Sequence, residues 1–300
     1  MKHLKWATVV LLLVNATQLY SRDLAGVANF FSYWTSTKVI VFAAFALVGT
    51  ILLVIRRVRT PLRLLFMALA FFTFGVLSVL PLGEFAAHLG LHPSPMCIIE
   101  KPFLFLRNGR AVPLFFVSLF AFVGLMTIVS NKSFCGWACP LGALQELIYA
   151  VPVLKKLKRR LPFKISNSIR FFVFAAFVTL VFTLSFSLYE YLNAFHILHW
   201  RWQTQLILPI LIVAVGGVLI YRPFCYLICP LGLFTWVLEQ LSLTRVRLNR
   251  AACTNCKICV KKSPCPTVPS ILAENRIRPD CHACGKCIEV CPERALDFKI

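Results

Sequence analysis

Eight cysteines crowd into the last 50 residues of this 300-residue chain, out of thirteen in all. Thiolates are soft ligands, suited to iron–sulfur clusters, zinc and copper(I). Spacing narrows the choice. Cys253, Cys256 and Cys259 follow C-x2-C-x2-C, with Cys265-Pro266 beyond them. Cys281, Cys284, Cys287 and Cys291 follow C-x2-C-x2-C-x3-C, with Pro292 behind. The second run has the spacing of bacterial two-cluster ferredoxins, in which the fourth Cys serves the other cluster. Cys253, Cys256, Cys259 and Cys291 are therefore expected to hold one 4Fe-4S cluster. Cys281, Cys284, Cys287 and Cys265 are expected to hold a second. The first run departs from the pattern, because five residues rather than three separate Cys259 from Cys265. Zinc knuckles join two C-x2-C pairs across a longer loop, so zinc fits poorly. An odd cysteine total and a reducing cytoplasm both argue against disulfides. Gly285 lets the backbone come close to cluster sulfide.

A second cysteine pattern is repeated upstream. Phe134-Cys135-Gly136-Trp137-Ala138-Cys139-Pro140-Leu141-Gly142 resembles Phe224-Cys225-Tyr226-Leu227-Ile228-Cys229-Pro230-Leu231-Gly232. Cys residues four apart share a helical face, and the Pro suits the first turn of a following helix. Those helices are expected at 141–151 and 231–243, lying amphipathically along a membrane interface. The four thiols of Cys135, Cys139, Cys225 and Cys229 could take a third cluster, meet copper, or act as a redox dithiol.

The elements that carry these cysteines are set by composition. Hydrophobic residues make up 59% of the chain, charged ones 14%, and Phe occurs 27 times. Soluble domains carry about 25% charged residues, and disorder needs low hydrophobicity. Apolar stretches near the ~20 residues that cross a bilayer lie at 38–55, 62–80, 111–130, 169–192 and 204–221. A shorter one, Trp6–Tyr20, follows Lys2 and Lys5 and reads as an uncleaved first helix rather than a signal peptide. Placing the N-terminus inside puts 26 of the 32 Lys and Arg residues on the cytoplasmic side, a strong positive-inside bias. Topology thus accounts for the net charge of +21, and nucleic-acid binding loses its motive. The expected fold is membrane all-α, with about six transmembrane helices over 1–243. A small C-terminal α+β domain of the bacterial two-cluster ferredoxin type follows over 244–300. Both termini would be cytoplasmic, in a bacterial inner membrane. A domain of that length has little core, so metal binding must supply much of its folding energy.

From about Ala111 onward the chain resembles the NapH-type membrane ferredoxins, whose relatives include NosR C-terminal parts, MauN-type proteins and CcoG-like proteins. Two C-x3-C-P motifs after spanning helices and a two-cluster tail carry the likeness. The resemblance implies a membrane-bound 4Fe-4S electron carrier, with quinone or a redox protein as partner. CcoG-like members link the C-x3-C-P thiols to copper reduction. By that likeness Cys135, Cys139, Cys225 and Cys229 become redox or ligand positions.

Other signals are weaker. His88, His92, Met96 and Cys97 share a loop expected outside, where sulfur and imidazole suit copper, though solvated loop residues explain them. His196, His199, Trp200 and Trp202 share another loop expected outside, where interfacial anchoring explains the Trp residues. Glu84 and Glu190 read as helix-end residues at the boundary.

Overall fold

The computed structural model describes residues 29–90, 94–152, 157–199 and 204–299. These are mostly helical, with one two-stranded sheet. Helix α1 (Thr37–Val54), α2 (Thr60–Val79) and α6 (Phe163–Leu184) are long and apolar enough to cross a membrane. Between α2 and α6 lie α3 (Cys97–Arg107), α4 (Leu114–Ser130) and α5 (Pro140–Ala150). Helix α7 (Ile207–Leu219) and α8 (Pro230–Glu239) follow. Of these, α4 and α7 are apolar but shorter. The expected helix at Trp6–Tyr20 lies outside the described residues.

Boundaries follow local chemistry. Helix α4 starts at Leu114 rather than 111 because Pro113 is extended, at φ −57° and ψ 133°. Helix α6 begins six residues before the expected start and stops at Leu184, where Ser185 turns left-handed at φ 55°. The residues beyond it form a separate turn, Leu188–Leu192. Helices α5 and α8 each bury one face inside the protein. Leu141, Ala143, Gln145 and Glu146 are all buried, as are Leu231, Thr235 and Glu239. Their polar face meets buried cations instead of water, which a moment calculated from sequence cannot distinguish.

The cysteine tail is seated on the helices. Strand β1 (Arg245–Leu248) pairs antiparallel with β2 (Leu296–Lys299), matching Val246 with Phe298. Short turns at Ile258–Lys262, Val268–Leu272 and Lys286–Glu289 carry the rest. Leu53, Val58, Met67 and Trp137 share one core with Val246, Cys265, Ala283, Ile288 and Phe298. Each fully buried side chain of this kind contributes about 1.5–3 kcal/mol. Gly285 has φ +75°, and a Cβ there would come within 2.7 Å of Leu53 Cδ2. Its smallness thus serves packing on α1.

Candidate functional site

The two C-x3-C-P segments have one backbone design. Asn131 and Lys132 are left-handed, at φ 51° and 59°, and so is Arg222, at 51°. Each reversal swings the chain from a helix end into a short helical turn, Phe134–Ala138 or Pro223–Leu227. Cys139 and Cys229 are then extended N-caps, and Pro140 and Pro230 open α5 and α8. All four thiols, Cys135, Cys139, Cys225 and Cys229, line a single chamber with Lys132, His282 and apolar side chains.

Arginines mirror the repeat. Arg222 Nη1 donates to the Cys135 carbonyl at 2.8 Å, and Arg170 Nη1 to the Cys225 carbonyl at 3.1 Å. A Cβ on Gly142 would stand 3.1 Å from Arg222 Nη1, and one on Gly232 only 2.7 Å from Arg170 Nη1. That is why each motif ends in Leu-Gly. Gln145 Nε2 donates to Cys225 Sγ at 3.4 Å. Burial, then the neighbouring Cys225, pushes the Cys139 and Cys229 thiols up to about 12, against backbone N–H donation from Gly142 and Gly232. Cys135 and Cys225 are raised by burial too. A neutral chamber thus disfavours free thiolates. Bound metal would reverse this, since a coordinating thiol is deprotonated outright.

Two buried ion networks flank the chamber, both tied to the tail. Glu146 accepts from Arg63 Nε at 2.7 Å, Arg222 Nη2 at 2.7 Å and Tyr221 Oη at 2.8 Å. Lys286 of the tail stands 3.2 Å from it. On the other side Asp280 of the tail pairs with Lys132, and with Arg170 at 2.9 Å. Lys132 also approaches Glu239 at 3.4 Å. Buried charges this costly persist only when paired and hydrogen-bonded. Charge counting alone assigns these bases to topology, whereas the structure gives them buried acidic partners. A signal was present: Lys132 and Arg222 each stand three residues before the first Cys of a motif.

In the tail, Cys253, Cys256, Cys259 and Cys291 line one cavity. Cys265, Cys281, Cys284 and Cys287 form a second neighbourhood. Burial first, and then Cys284, pushes Cys265 up to about 12. Burial and then Cys265 raise Cys281, and burial and then Cys284 raise Cys287. Cys287 also feels Cys259, so the two groups adjoin. Left-handed residues recur at matching places: Asn255 and Lys257 around Cys256, Ala283 and Gly285 around Cys284. Such alternation curls successive N–H groups into a concave nest that suits an anionic centre. Four thiols round a cavity with such a cradle fit an iron–sulfur cluster. Among the described residues, no three His, Cys, Asp or Glu side chains converge tightly enough for a single metal ion.

The structure does not gather the loop signals. His88 is exposed, while Met96 and Cys97 are buried in the packed interior. Glu84 and Glu190 are exposed. His92, Trp200 and Trp202 lie outside the described residues. The spacing gave no sign of Glu100, a buried acid that accepts from Ser187 Oγ at 2.5 Å.

A family model described as a 4Fe-4S binding domain matches residues 112–164 and 202–249, the two C-x3-C-P segments. An uncharacterized protein of Methanocaldococcus jannaschii is 28% identical over 65% of this chain and 74% of its own length. The ferredoxin-type protein NapH of Haemophilus influenzae is 27% identical, over 57% of this chain and 63% of its own. The putative electron transport protein YccM of Escherichia coli is 26% identical, over 58% and 52%. No solved structure matches the chain. The duplicated motif, the thiol-lined cavities and these relatives agree on iron–sulfur electron transfer at a membrane, and the chain is similar to the NapH-type ferredoxin-type proteins.

Proposed function

We propose that the chain relays single electrons between the quinone pool and iron–sulfur centres at the cytoplasmic face of the plasma membrane. In this reading about six helices over 1–243 span the membrane, and 244–300 is a two-cluster ferredoxin domain docked beneath them. Both termini are cytoplasmic. Cys253, Cys256, Cys259 and Cys291 hold one 4Fe-4S cluster, and Cys281, Cys284, Cys287 and Cys265 the other. Cys135, Cys139, Cys225 and Cys229 hold a third iron–sulfur centre.

One observation carries the reading: four thiols from two distant, matching motifs line one buried chamber. Iron–sulfur clusters, when bound, take up and release one electron at potentials set by burial and hydrogen bonds to sulfur. The chain's own groups supply that setting. Arg170, Arg222 and Lys132 offset thiolate charge, and the amides of Gly142 and Gly232 donate to sulfur. Phe42, Pro95 and Phe134 wall the chamber from a neighbouring apolar pocket, which Val39, Phe122 and Met126 also line. That pocket suits a quinone ring, because ligand sites are concave and mostly apolar.

The test is anaerobic reduction with a short-chain quinol, followed by EPR. The reading expects reduced centres in the wild type. It expects Phe122→Trp to slow quinol reduction while dithionite still reduces every centre. Centres that dithionite reduces and quinol never does would remove quinone from the account.

A further inference from the structure

We propose that His282 is the residue through which electrons pass between the tail and the four-cysteine chamber, with its Nδ1 in contact with the centre held there. This rests on the reading of the chamber as an iron–sulfur site.

His282 lies between Cys281 and Cys284, so it belongs to the loop that carries two of the tail thiols. His282 is nevertheless part of the chamber wall, alongside Cys135, Cys139, Cys225 and Cys229. It is 4% exposed. Three contacts hold it there. Its carbonyl oxygen presses on Gly136, where a Cβ would lie only 1.9 Å away. Trp137 Nε1 donates to the Ala283 carbonyl at 2.9 Å. The ring of Tyr226 meets the imidazole edge-on at 5.0 Å, and Tyr226 Oη donates to the Asp280 carbonyl at 3.3 Å.

Against this fixed frame, Nδ1 is buried and has no hydrogen-bond partner among the described residues. Leaving such an atom unsatisfied destabilises the fold. Apart from the thiols and Lys132, the chamber wall offers no polar side chain. Lys132 is engaged by Asp280 and Glu239. The partner left for Nδ1 is therefore whatever the four thiols hold. Hydrogen bonds to cluster or ligand sulfur are one of the levers by which a protein tunes such a centre.

The arrangement also gives a short route. From Cys281 Sγ a few covalent bonds lead through the backbone to the imidazole of His282, a residue that already lines the chamber. The transfer His282 serves is one electron, lost by the centre on Cys281 and gained by the centre on Cys139, or the reverse. No bond breaks, and no proton moves.

The experiment uses full-length protein, purified without oxygen, labelled with 15N-histidine and studied by pulsed EPR after reduction. The chamber signal is the one that Cys139→Ser removes. On that signal the wild type should show a histidine nitrogen coupling. His282→Phe should lose the coupling while iron per chain stays unchanged. Should the Phe variant lose iron, His282→Gln is read the same way and should keep iron without the imidazole coupling. No histidine coupling in the wild type, or one that persists in both variants, overturns the role of His282 and leaves the chamber reading intact. A Cys139→Ser variant that removes no iron–sulfur signal, or copper found in place of chamber iron, overturns the chamber reading and this inference with it.

Discussion

Trp137 donates its indole N–H to the carbonyl of Ala283 at 2.9 Å. This joins the first C-x3-C-P turn to the loop between Cys281 and Cys284. The same indole lies under the Arg63 guanidinium at 4.4 Å and over Gly49 of α1, where a Cβ would come within 2.2 Å of Trp137 Cγ. One side chain therefore sets the distance between α1, the motif turn and the tail. A tail on a flexible tether would not hold its cysteines in fixed register with the chamber. This one is keyed in place.

The key should be sensitive to a single methyl group. Gly136→Ala places a Cβ 1.9 Å from the His282 carbonyl, so backbone must move. Overpacking of this kind costs about 1–3 kcal/mol or more. Gly124→Ala, whose Cβ would meet Leu238 at an ordinary 3.4 Å, serves as control. Thermal unfolding in detergent should fall clearly for Gly136→Ala and barely for Gly124→Ala. Equal midpoints would mean that the tail does not dock as described.

Glu146 is the anion shared by Arg63, Arg222 and Lys286. Those cations hold its carboxyl well below the usual range despite burial. Removing one partner of a buried pair costs about 3–5 kcal/mol, because the other charge stays buried and unpaired. Glu146→Ala should therefore unfold at markedly lower temperature, with loss of tail protection from protease. Glu146→Gln should lie between Ala and wild type, since it keeps hydrogen bonding and loses charge. A wild-type midpoint in Glu146→Ala would show that the network contributes nothing.

Glu100 gives a pH signature. Burial raises its carboxyl above the usual value, against the Ser187 hydrogen bond. A carboxyl raised in the folded state binds its proton more tightly there than when unfolded. Its contribution is then full below the unfolded value of about 4.3 and is lost as pH rises through the folded value. Glu100→Gln cannot titrate, so wild type should lose stability relative to it as pH climbs from about 4.3. Parallel pH profiles for the two proteins would refute this.

Sequence and structure diverge in an instructive way. Apolar runs foretold α1 and α2 closely, because a bilayer-spanning helix needs only length and hydrophobicity. The NapH-type resemblance also followed from spacing, since C-x3-C-P and C-x2-C are local patterns. The partnership of Lys132 with Asp280, 148 residues later in the chain, was not legible, because composition counts charges without pairing them. For the same reason the inward polar contacts of α5 and α8 were not legible. In α5 Glu146 is buried against Arg63 and Arg222, and in α8 Glu239 is buried against Lys132, all distant in sequence from the acid they meet.

The two tail cysteine groups separate by mutation. Cys253→Ser should remove about four irons per chain, by chemical assay, and leave the signal of the group at Cys281. Loss of every tail signal in that variant would mean that the eight cysteines do not divide as assigned.

The most direct measurement is iron and acid-labile sulfide per chain in oxygen-free protein, with EPR before and after reduction. The account expects about twelve irons, matching sulfide, and signals that appear on one-electron reduction. Protein with neither iron nor a reducible signal, or with zinc in its place, would contradict it.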